Sequence, residues 1–134
     1  MGLSLEDAMK VVQTGMSKAQ GLNLKVSIAV VDEEGYLVLL ERMDGASWIS
    51  PKISESKAKA SSAFRRAGSE LLQMAQATPV FWSGVSSLTQ GGLVFGKGGA
   101  PITKGGSHCG GVGVSGGTGD QDEVIALEAA KAVG

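Results

Sequence analysis

The first apolar pattern along the chain is helical. Apolar residues recur there at spacings of three and four positions, which places them on one face of a helix. They are Leu5, Ala8, Met9, Val12, Met16 and Ala19. Ser4, with Asp7 three residues later, is typical of a capping box at a helix start, and Gly21 is typical of a helix end. The pattern therefore predicts a first helix that ends near Gly21.

Two strand patterns follow this helix. Residues 26–31 are apolar or small at every position, which is typical of a central strand covered on both faces. Residues 32–35 indicate a tight turn in which Gly35 takes a positive φ. Residues 36–43 are again mostly apolar, so the two segments predict an antiparallel hairpin.

The middle of the chain predicts two helices. Ser50 and Pro51 are typical of an N-cap and the first residue of a helix, which continues through residues 52–66. Gly68 interrupts the pattern, and residues 69–76 predict a shorter helix that ends before a Thr-Pro pair. Residues 80–90 show no clean period, so an irregular connection is predicted there.

Glycine dominates the last third of the chain. Most of the 21 glycines lie from Gly91 onward, a density typical of tight turns and close backbone approach. Between them, three short strands are predicted at residues 93–97, 101–104 and 108–115. A last helix follows, with Thr118 or Asp120 as its N-cap and an end near Val133.

The order of elements predicts the fold class. The predicted order is a helix, two strands, helices, three strands and a last helix. Short links between the strands favour an α+β fold with helices packed on a five-stranded antiparallel sheet. The chain contains no internal repeat, low-complexity tract or linker. One domain is therefore expected over residues 1–134.

Composition narrows the classes of function. Hydrophobic residues make up 43% and charged residues 19%, as in a globular chain. The net charge of -1 and the aromatic content of 4% argue against a nucleic-acid or acidic-membrane partner. No apolar run resembles a signal peptide or a membrane span, so a cytoplasmic protein is expected. Cys109 is the one cysteine, which excludes an intrachain disulfide and a thiolate cluster for zinc.

The last third also carries a family signature. The segment GGAPITKGGSHCGGVGVSGGTGDQDEVIA, from Gly98 to Ala126, resembles that of the GlcG/HbpS-like family, which also occurs as the C-terminal domain of PduO-type proteins. VVDEEGYLVLLERMDGA resembles the paired first strands of this family, and SKAKASSAF resembles its Lys- and Ala-rich helix. The resemblance spans nearly the whole chain in order.

The resemblance implies a profilin-like α/β/α sandwich with a central five-stranded antiparallel sheet, assembled into homo-oligomers. Some members of the family bind haem, and others are associated with glycolate or diol catabolism. The adenosyltransferase activity of PduO-type proteins belongs to a different domain. The resemblance therefore implies a small-molecule ligand, either haem or a related tetrapyrrole, or a small carboxylate.

Two glycine-rich loops are candidate ligand-binding segments. Ser115, Gly116 and Gly117 run into a helix start, where backbone N–H groups and the helix dipole suit a carboxylate or phosphate. The alternative is that this loop only caps the helix. The turn at Gly98, Gly99 and Pro101 is expected to form the other rim of the same pocket.

A charged cluster is the second candidate for ligand binding. Arg42 could hold a carboxylate through two hydrogen bonds, beside Asp44 and with Lys57 as a second cation. The alternative is a set of salt bridges, Arg42 with Asp44 or Glu41 and Lys57 with Glu55. Asp122 at the start of the last helix suits stabilisation of the helix dipole first and ligand contact second.

His108 is the one histidine and the candidate ligand for haem iron. It precedes Cys109 on the same predicted strand, so the two side chains point to opposite faces and cannot share one metal. A surface or core histidine without a ligand is the alternative. Where some relatives have a histidine in the first helix, this chain has none.

Three functional classes remain open on the sequence. The first is a small-molecule binding protein. Haem would need an apolar slot with His108 or a Met as axial donor, whereas a small carboxylate would need a small cavity with Arg42 or Lys57 facing inward. The second is an isomerase or tautomerase acting on a small oxygenated acid, with Lys57, Asp122 or His108 transferring the proton. The third is a non-catalytic accessory subunit with a filled interface that includes Trp48 or Trp82.

Overall fold

The computed structural model describes residues 2–134. This part of the chain forms five α-helices and four strands. In chain order they are α1 Leu5–Gly21, β1 Ser27–Asp32, β2 Leu37–Arg42, α2 Ser50–Phe64, α3 Gly68–Ala77, α4 Pro79–Leu88, β3 Gly99–Lys104, β4 Ser107–Ser115 and α5 Gly119–Ala130, followed by a 3₁₀ turn at Lys131–Val133.

The strands form one antiparallel sheet in the order β2-β1-β4-β3. Helices α1 and α5 cover one face, where Val12, Ile28 and Ile125 belong to the main core. Helix α2 covers the other face, where Ala58 packs with Val31. The predicted α+β class, with an antiparallel sheet between helical layers, is confirmed.

The predicted fifth strand is wrong. Within residues 2–134 the sheet has four strands, and residues 93–97 lie outside it. Their alternating apolar side chains pack on a separate aromatic cluster instead, in which Phe95 contacts Trp82 edge to face with ring centroids 5.0 Å apart. The Val94 N–H donates to the Ser56 carbonyl of α2. The alternating side chains of residues 93–97 therefore pack against helices, and their backbone does not pair with a strand of the sheet.

The predicted irregular connection at residues 80–90 is also wrong, because most of it forms α4. The helix begins at Pro79, whose missing N–H costs nothing at a first helical position. Trp82 is its one buried residue, and Val80, Phe81 and Leu88 are exposed. The helical period was obscured because the apolar residues do not share one buried face.

The helix starts follow their capping residues. The Ser4 hydroxyl accepts from the Asp7 N–H at 3.0 Å, and the Asp7 carboxylate accepts from the Ser4 N–H at 3.1 Å. Thr118 caps α5 in the same way with Gln121. Ser50 is not the predicted N-cap but the first residue of α2, with its hydroxyl 2.8 Å from that of Ser27. The two capping boxes thus form between residues three positions apart, whereas the Ser50 side chain contacts a strand of the sheet.

Glycines in β4 allow α2 to lie directly on the sheet. A Cβ at Gly113 would collide with the carbonyl oxygen of Ser54 and approach the nitrogen of Ala58 to 2.6 Å. A Cβ at Gly111 would collide with the carbonyl oxygen of Ala58. The backbone of α2 therefore occupies the space that side chains would fill on an ordinary strand.

This contact predicts a large difference between two Gly→Ala variants. Gly113→Ala should lower the free energy of unfolding by about 3 kcal/mol, because α2 must move off the sheet. Gly21→Ala is the control, since a Cβ there has nothing within 4 Å, and it should change stability by less than about 1 kcal/mol. Urea denaturation followed by circular dichroism measures both, and equal effects would contradict the close packing.

The pairing of Asp7 makes part of the free energy of unfolding sensitive to acid. Its carboxylate pairs with Lys104 at 2.7 Å. This hydrogen bond, with that from the Ser4 N–H, lowers the pKa of Asp7 from 3.8 to about 2. The folded state therefore binds fewer protons than the unfolded state. The stabilisation is full above the unfolded pKa and is lost as the pH falls through the folded one.

Asp7→Asn should therefore be less stable than the parent protein near pH 5, and this gap should narrow near pH 2. Glu6→Gln, which alters the neighbouring exposed carboxylate, is the control. Urea denaturation at both pH values measures the gap. A gap of the same size at both would mean that Asp7 acts through helix capping alone.

Candidate functional site

Lys57 of α2 is buried against the end of β4 and the start of α5. Its ammonium group donates to the Val114 carbonyl at 2.9 Å and lies 3.3 Å from a carboxylate oxygen of Asp122. The other carboxylate oxygen of Asp122 accepts from the Gly117 N–H at 2.8 Å. Both buried charges are therefore paired within the chain, which is what their burial requires.

The two predicted glycine segments do meet at this ion pair. The Gly98 carbonyl accepts from the Val114 N–H at 2.8 Å, and a Cβ at Gly98 would stand 2.7 Å from the Lys57 ammonium nitrogen. The Gly98 N–H in turn donates to Glu123 at 3.2 Å. The Gly98–Gly99 turn therefore lies near the Ser115–Gly117 loop, as expected, and a pocket formed by the two segments stays a prediction.

Polar groups at this junction are used by the chain itself. The Gly117 N–H bonds to Asp122, and the Thr118 N–H donates to the Gln121 side chain at 2.9 Å. These bonds are those of a helix cap, the alternative weighed for this loop. A ligand role for Gly99, Ser115 or Gly116 stays a prediction.

Arg42 and Asp44 take no part in the buried pair. The Arg42 guanidinium donates to the Ala46 carbonyl at 2.8 Å, and Asp44 is exposed. Among residues 2–134, the ion pairs expected between Arg42 and Glu41 or Asp44 do not form, and Glu55 pairs with Lys59 rather than with Lys57. The predicted partner of Lys57, Glu55, was wrong. The actual partner, Asp122, lies 65 residues further along the chain, where local spacing could not indicate it.

A groove of about 520 Å³ lies beside the edge strand β3. We call it the basic groove, because three of its residues are cations: Arg65, Arg66 and Lys131. Arg66 is also paired with Glu70 at 3.3 Å. Its remaining lining residues are Ala67, Glu70, Pro101, Thr103, Leu127, Ala130 and Gly134.

The basic groove combines positive charge with apolar surface. Its walls come from residues 65–70, which join α2 to α3, from β3 and from the end of α5, three segments that are far apart in sequence. Of the predicted ligand residues, Pro101 alone lines it. No local motif marks the other residues, so the sequence could not bring them together.

His108 lies next to the basic groove. Its direct cross-strand neighbour Thr103 lines the groove, and directly opposed residues project from the same face of a sheet. Nε2 of His108 lies 3.4 Å from the Ser62 hydroxyl, while the buried Nδ1 has no hydrogen-bond partner among residues 2–134. Burial, with Arg65 nearby, lowers the pKa of His108 from its ordinary value, which favours the uncharged imidazole at neutral pH.

Cys109 faces the other way, as predicted. It belongs to the core between the sheet and the helices α1 and α5, and its thiol lies 3.5 Å from the Ile102 carbonyl. Burial raises the pKa of this thiol, which keeps it protonated and unreactive at neutral pH. Within residues 2–134, no three His, Cys, Asp or Glu side chains are grouped as metal ligands.

A second groove, of about 410 Å³, lies between α1 and β2. We call it the methionine groove, because Met9, Met16 and Met43 line it together with Gln13, Gln20 and Glu41. The Met43 sulfur accepts from the Val26 N–H at 3.4 Å. Met9 was predicted on the inward face of α1 but is 55% exposed. Neither this groove nor the basic groove was expected from the sequence.

Comparison with known families and proteins gives consistent matches. The model of a family described as haem degrading protein HbpS-like matches residues 3–131. Protein GlcG of Escherichia coli K12 is 36% identical over 114 residues, 84% of this chain and 81% of GlcG. The corrinoid adenosyltransferase PduO of Salmonella typhimurium is 31% identical over 133 residues, 99% of this chain but 39% of PduO.

Solved structures match over the whole chain. A double mutant of Streptomyces reticuli HbpS has a TM-score of 0.88 and 31% identity, covering 100% of this chain and 88% of the other. A complex of PduOC with haem has a TM-score of 0.88 and 31% identity, covering 99% of this chain and 96% of the other.

The buried ion pair yields a prediction that separates structure from ligand binding. Lys57→Met should lower the free energy of unfolding by about 3–5 kcal/mol, because Asp122 is left charged and buried. In an Asp122→Asn background the same change should cost much less. Lys52→Met, at an exposed position of α2, is the control and should change stability by less than about 0.5 kcal/mol.

A double-mutant cycle measured by urea denaturation tests this coupling. If Lys57→Met were as mild as Lys52→Met, the ion pair would not hold α2 to α5. Lys57 would then again be a candidate ligand group.

Proposed function

The chain belongs to the HbpS-like family, and on this premise we propose that it is a small-molecule binding protein that takes haem or a related tetrapyrrole in the basic groove beside His108. The observation that carries the proposal is the composition of that groove. It joins cations to an apolar wall, and His108 lies next to it, opposite the lining residue Thr103.

The chemistry of the ligand fits the lining of the groove. Haem is a flat apolar ring with two carboxylates along one edge. Arg65, Arg66 and Lys131 supply donors for carboxylates, and arginine binds them through two parallel hydrogen bonds. Pro101 and Leu127 supply apolar surface for the ring. A volume of about 520 Å³ lies within the usual range for ligand pockets.

His108 is the residue that would hold the iron of a bound haem. A histidine binds iron through an unprotonated ring nitrogen, so the lowered pKa of His108 favours ligation at neutral pH. Its Nδ1 also lacks a hydrogen-bond partner within the described chain. Bound haem would supply redox-active iron, while Arg65 and Lys131 would orient the carboxylates.

The comparisons support haem as the ligand class. The description of the family names a haem degrading protein. The structure of PduOC, which covers 99% of this chain, was solved as a complex with haem. A small carboxylate of glycolate or diol catabolism is the alternative, since the same cations would bind it. The groove favours the tetrapyrrole, because a small carboxylate makes no use of the apolar wall.

The isomerase or tautomerase class receives less support from the geometry. Lys57 and Asp122, two of its three proton-transfer candidates, are buried and satisfied by each other. His108 remains as a single proton-transfer group, with no second titrating group hydrogen-bonded to it in the described chain. The class of non-catalytic accessory subunit stays a prediction and is compatible with binding.

Haem titration followed by absorbance tests the proposal. The parent protein should show a saturable Soret shift at about one haem per chain. His108→Ala should lose the shifted band, because it removes the residue that would hold the iron. Lys131→Gln and Arg65→Asn should each weaken binding by about five- to tenfold, through loss of a charge-assisted hydrogen bond. Asn is chosen because Arg65 has a φ of 56°, which Asn tolerates.

Two controls make the titration specific. Lys52→Gln removes a cation from the exposed start of α2 and should bind haem like the parent protein. Met16→Leu alters the methionine groove and should also leave the spectrum unchanged. If Met16→Leu loses the Soret shift and His108→Ala keeps it, haem sits in the methionine groove. A flat titration of the parent protein would exclude haem and leave the small carboxylate, to be screened by thermal shift.

A further inference from the structure

Three of the five methionines of the chain line the methionine groove between α1 and β2. Met9 and Met16 are seven positions apart on α1, about two helical turns, so both project from the same side of that helix. Met43 follows directly after β2 and lines the opposite wall. Thioether sulfurs are soft ligands for metal ions, and the function proposed for the basic groove makes no use of these three.

The sulfur of Met43 is held in place by the backbone. The Met43 N–H donates to the Val26 carbonyl at 3.0 Å, and the Val26 N–H donates to the Met43 sulfur at 3.4 Å. Both the main chain and the side chain of Met43 are thereby anchored to the same residue. A thioether sulfur has two lone pairs, and the Val26 N–H takes one of them. The other is left for a metal ion, on a side chain whose orientation is already set.

The two methionines of α1 differ in their exposure to solvent. Met16 is partly buried and packs against the main core. Met9 is 55% exposed, so its thioether lies at the surface. The three side chains together range from exposed to partly buried, and an ion can therefore reach the groove from solvent without a change in the fold.

The charge of the groove favours a cation. Among the described residues that line it, Glu41 is the one that carries a charge. Glu41 precedes Met43 by two positions, so the two side chains project from the same side of the strand. Lys10 of α1 is paired with Glu6 at 3.9 Å. The two glutamines of the lining add amide groups and no charge, which leaves the carboxylate to set the local potential.

We propose that the methionine groove binds a soft monovalent cation, Cu(I), through the sulfurs of Met9, Met16 and Met43. Thioethers select Cu(I), whereas Mg²⁺, Ca²⁺ and Mn²⁺ take oxygen ligands, and Zn²⁺ takes thiolates, imidazoles and carboxylates. Among its described lining residues the groove has one carboxylate and neither a thiol nor an imidazole. It therefore fits the soft ion and not the harder ones.

This site is separate from the basic groove. None of the six residues that line the methionine groove lines the basic groove, so the proposal does not rest on haem binding. Cys109 is the other soft ligand to consider, but it is 1% exposed in the core and lines neither groove. Met74 of α3 packs on the aromatic cluster instead, which makes it a methionine outside the site.

Anaerobic titration with Cu(I), in competition with the coloured chelator bicinchoninate, tests the proposal. The parent protein should withdraw about one Cu(I) per chain. Met9→Leu and Met16→Leu should each weaken binding by roughly tenfold or more, because each removes one sulfur ligand at nearly constant side-chain volume. Met74→Leu is the matched control and should bind Cu(I) like the parent protein. Circular dichroism verifies that the variants fold.

Titration with Ag(I), a soft ion that stays in one oxidation state, identifies the ligands directly. With the methionine methyl groups labelled with ¹³C, the NMR signals of Met9, Met16 and Met43 should shift on addition of Ag(I). The signal of Met74 should stay in place. Zn²⁺ at the same concentration should shift none of the four, because it prefers harder ligands.

Three outcomes would overturn the proposal. The first is a parent protein that leaves all Cu(I) with the chelator. The second is binding that survives in the double variant Met9→Leu/Met16→Leu and is lost in Cys109→Ala, which would assign the ion to the thiol in the core. The third is an Ag(I) titration in which Met74 shifts as much as the methionines of the groove, which would mean that any thioether of the chain binds the ion.

Discussion

The close contact between α2 and β4 is the constraint on which the rest of the structure depends. Helix α2 rests on the backbone of β4 because Gly111 and Gly113 have no side chains to hold it away. At this depth the Lys57 ammonium reaches the Val114 carbonyl and Asp122, and so links α2 to α5. The same placement carries Arg65, just after the end of α2, to the edge strand where the basic groove opens.

The segment that resembles the family signature therefore has a structural role that accounts for most of its contacts. Its glycine turns meet at the Lys57–Asp122 pair, and its backbone donors are satisfied by Asp122, Glu123 and Gln121. The proposed ligand groove draws its cations from outside the segment. A signature of this kind identifies a fold, because a well-packed junction tolerates few residue types.

Helices α3 and α4 stand apart from the two layers that cover the sheet. They pack around their own cluster, in which Leu71, Trp82 and Leu93 are buried. The exposed side chains of Val80 and Leu88 add nothing to this cluster.

Local spacing was sufficient to predict α1, the β1–β2 hairpin, β3, β4 and the cap of α5, because these features depend on capping residues, turn glycines and periods within one element. Local spacing failed for residues 93–97, whose alternating side chains pack on the aromatic cluster rather than in the sheet. It also failed for α4, which buries only Trp82 and therefore shows no apolar stripe. Tertiary structure alone paired Lys57 with Asp122 and assembled the basic groove from Arg65, Pro101 and Lys131. Sequence spacing holds no information about such distances, since packing of distant segments brings these residues together.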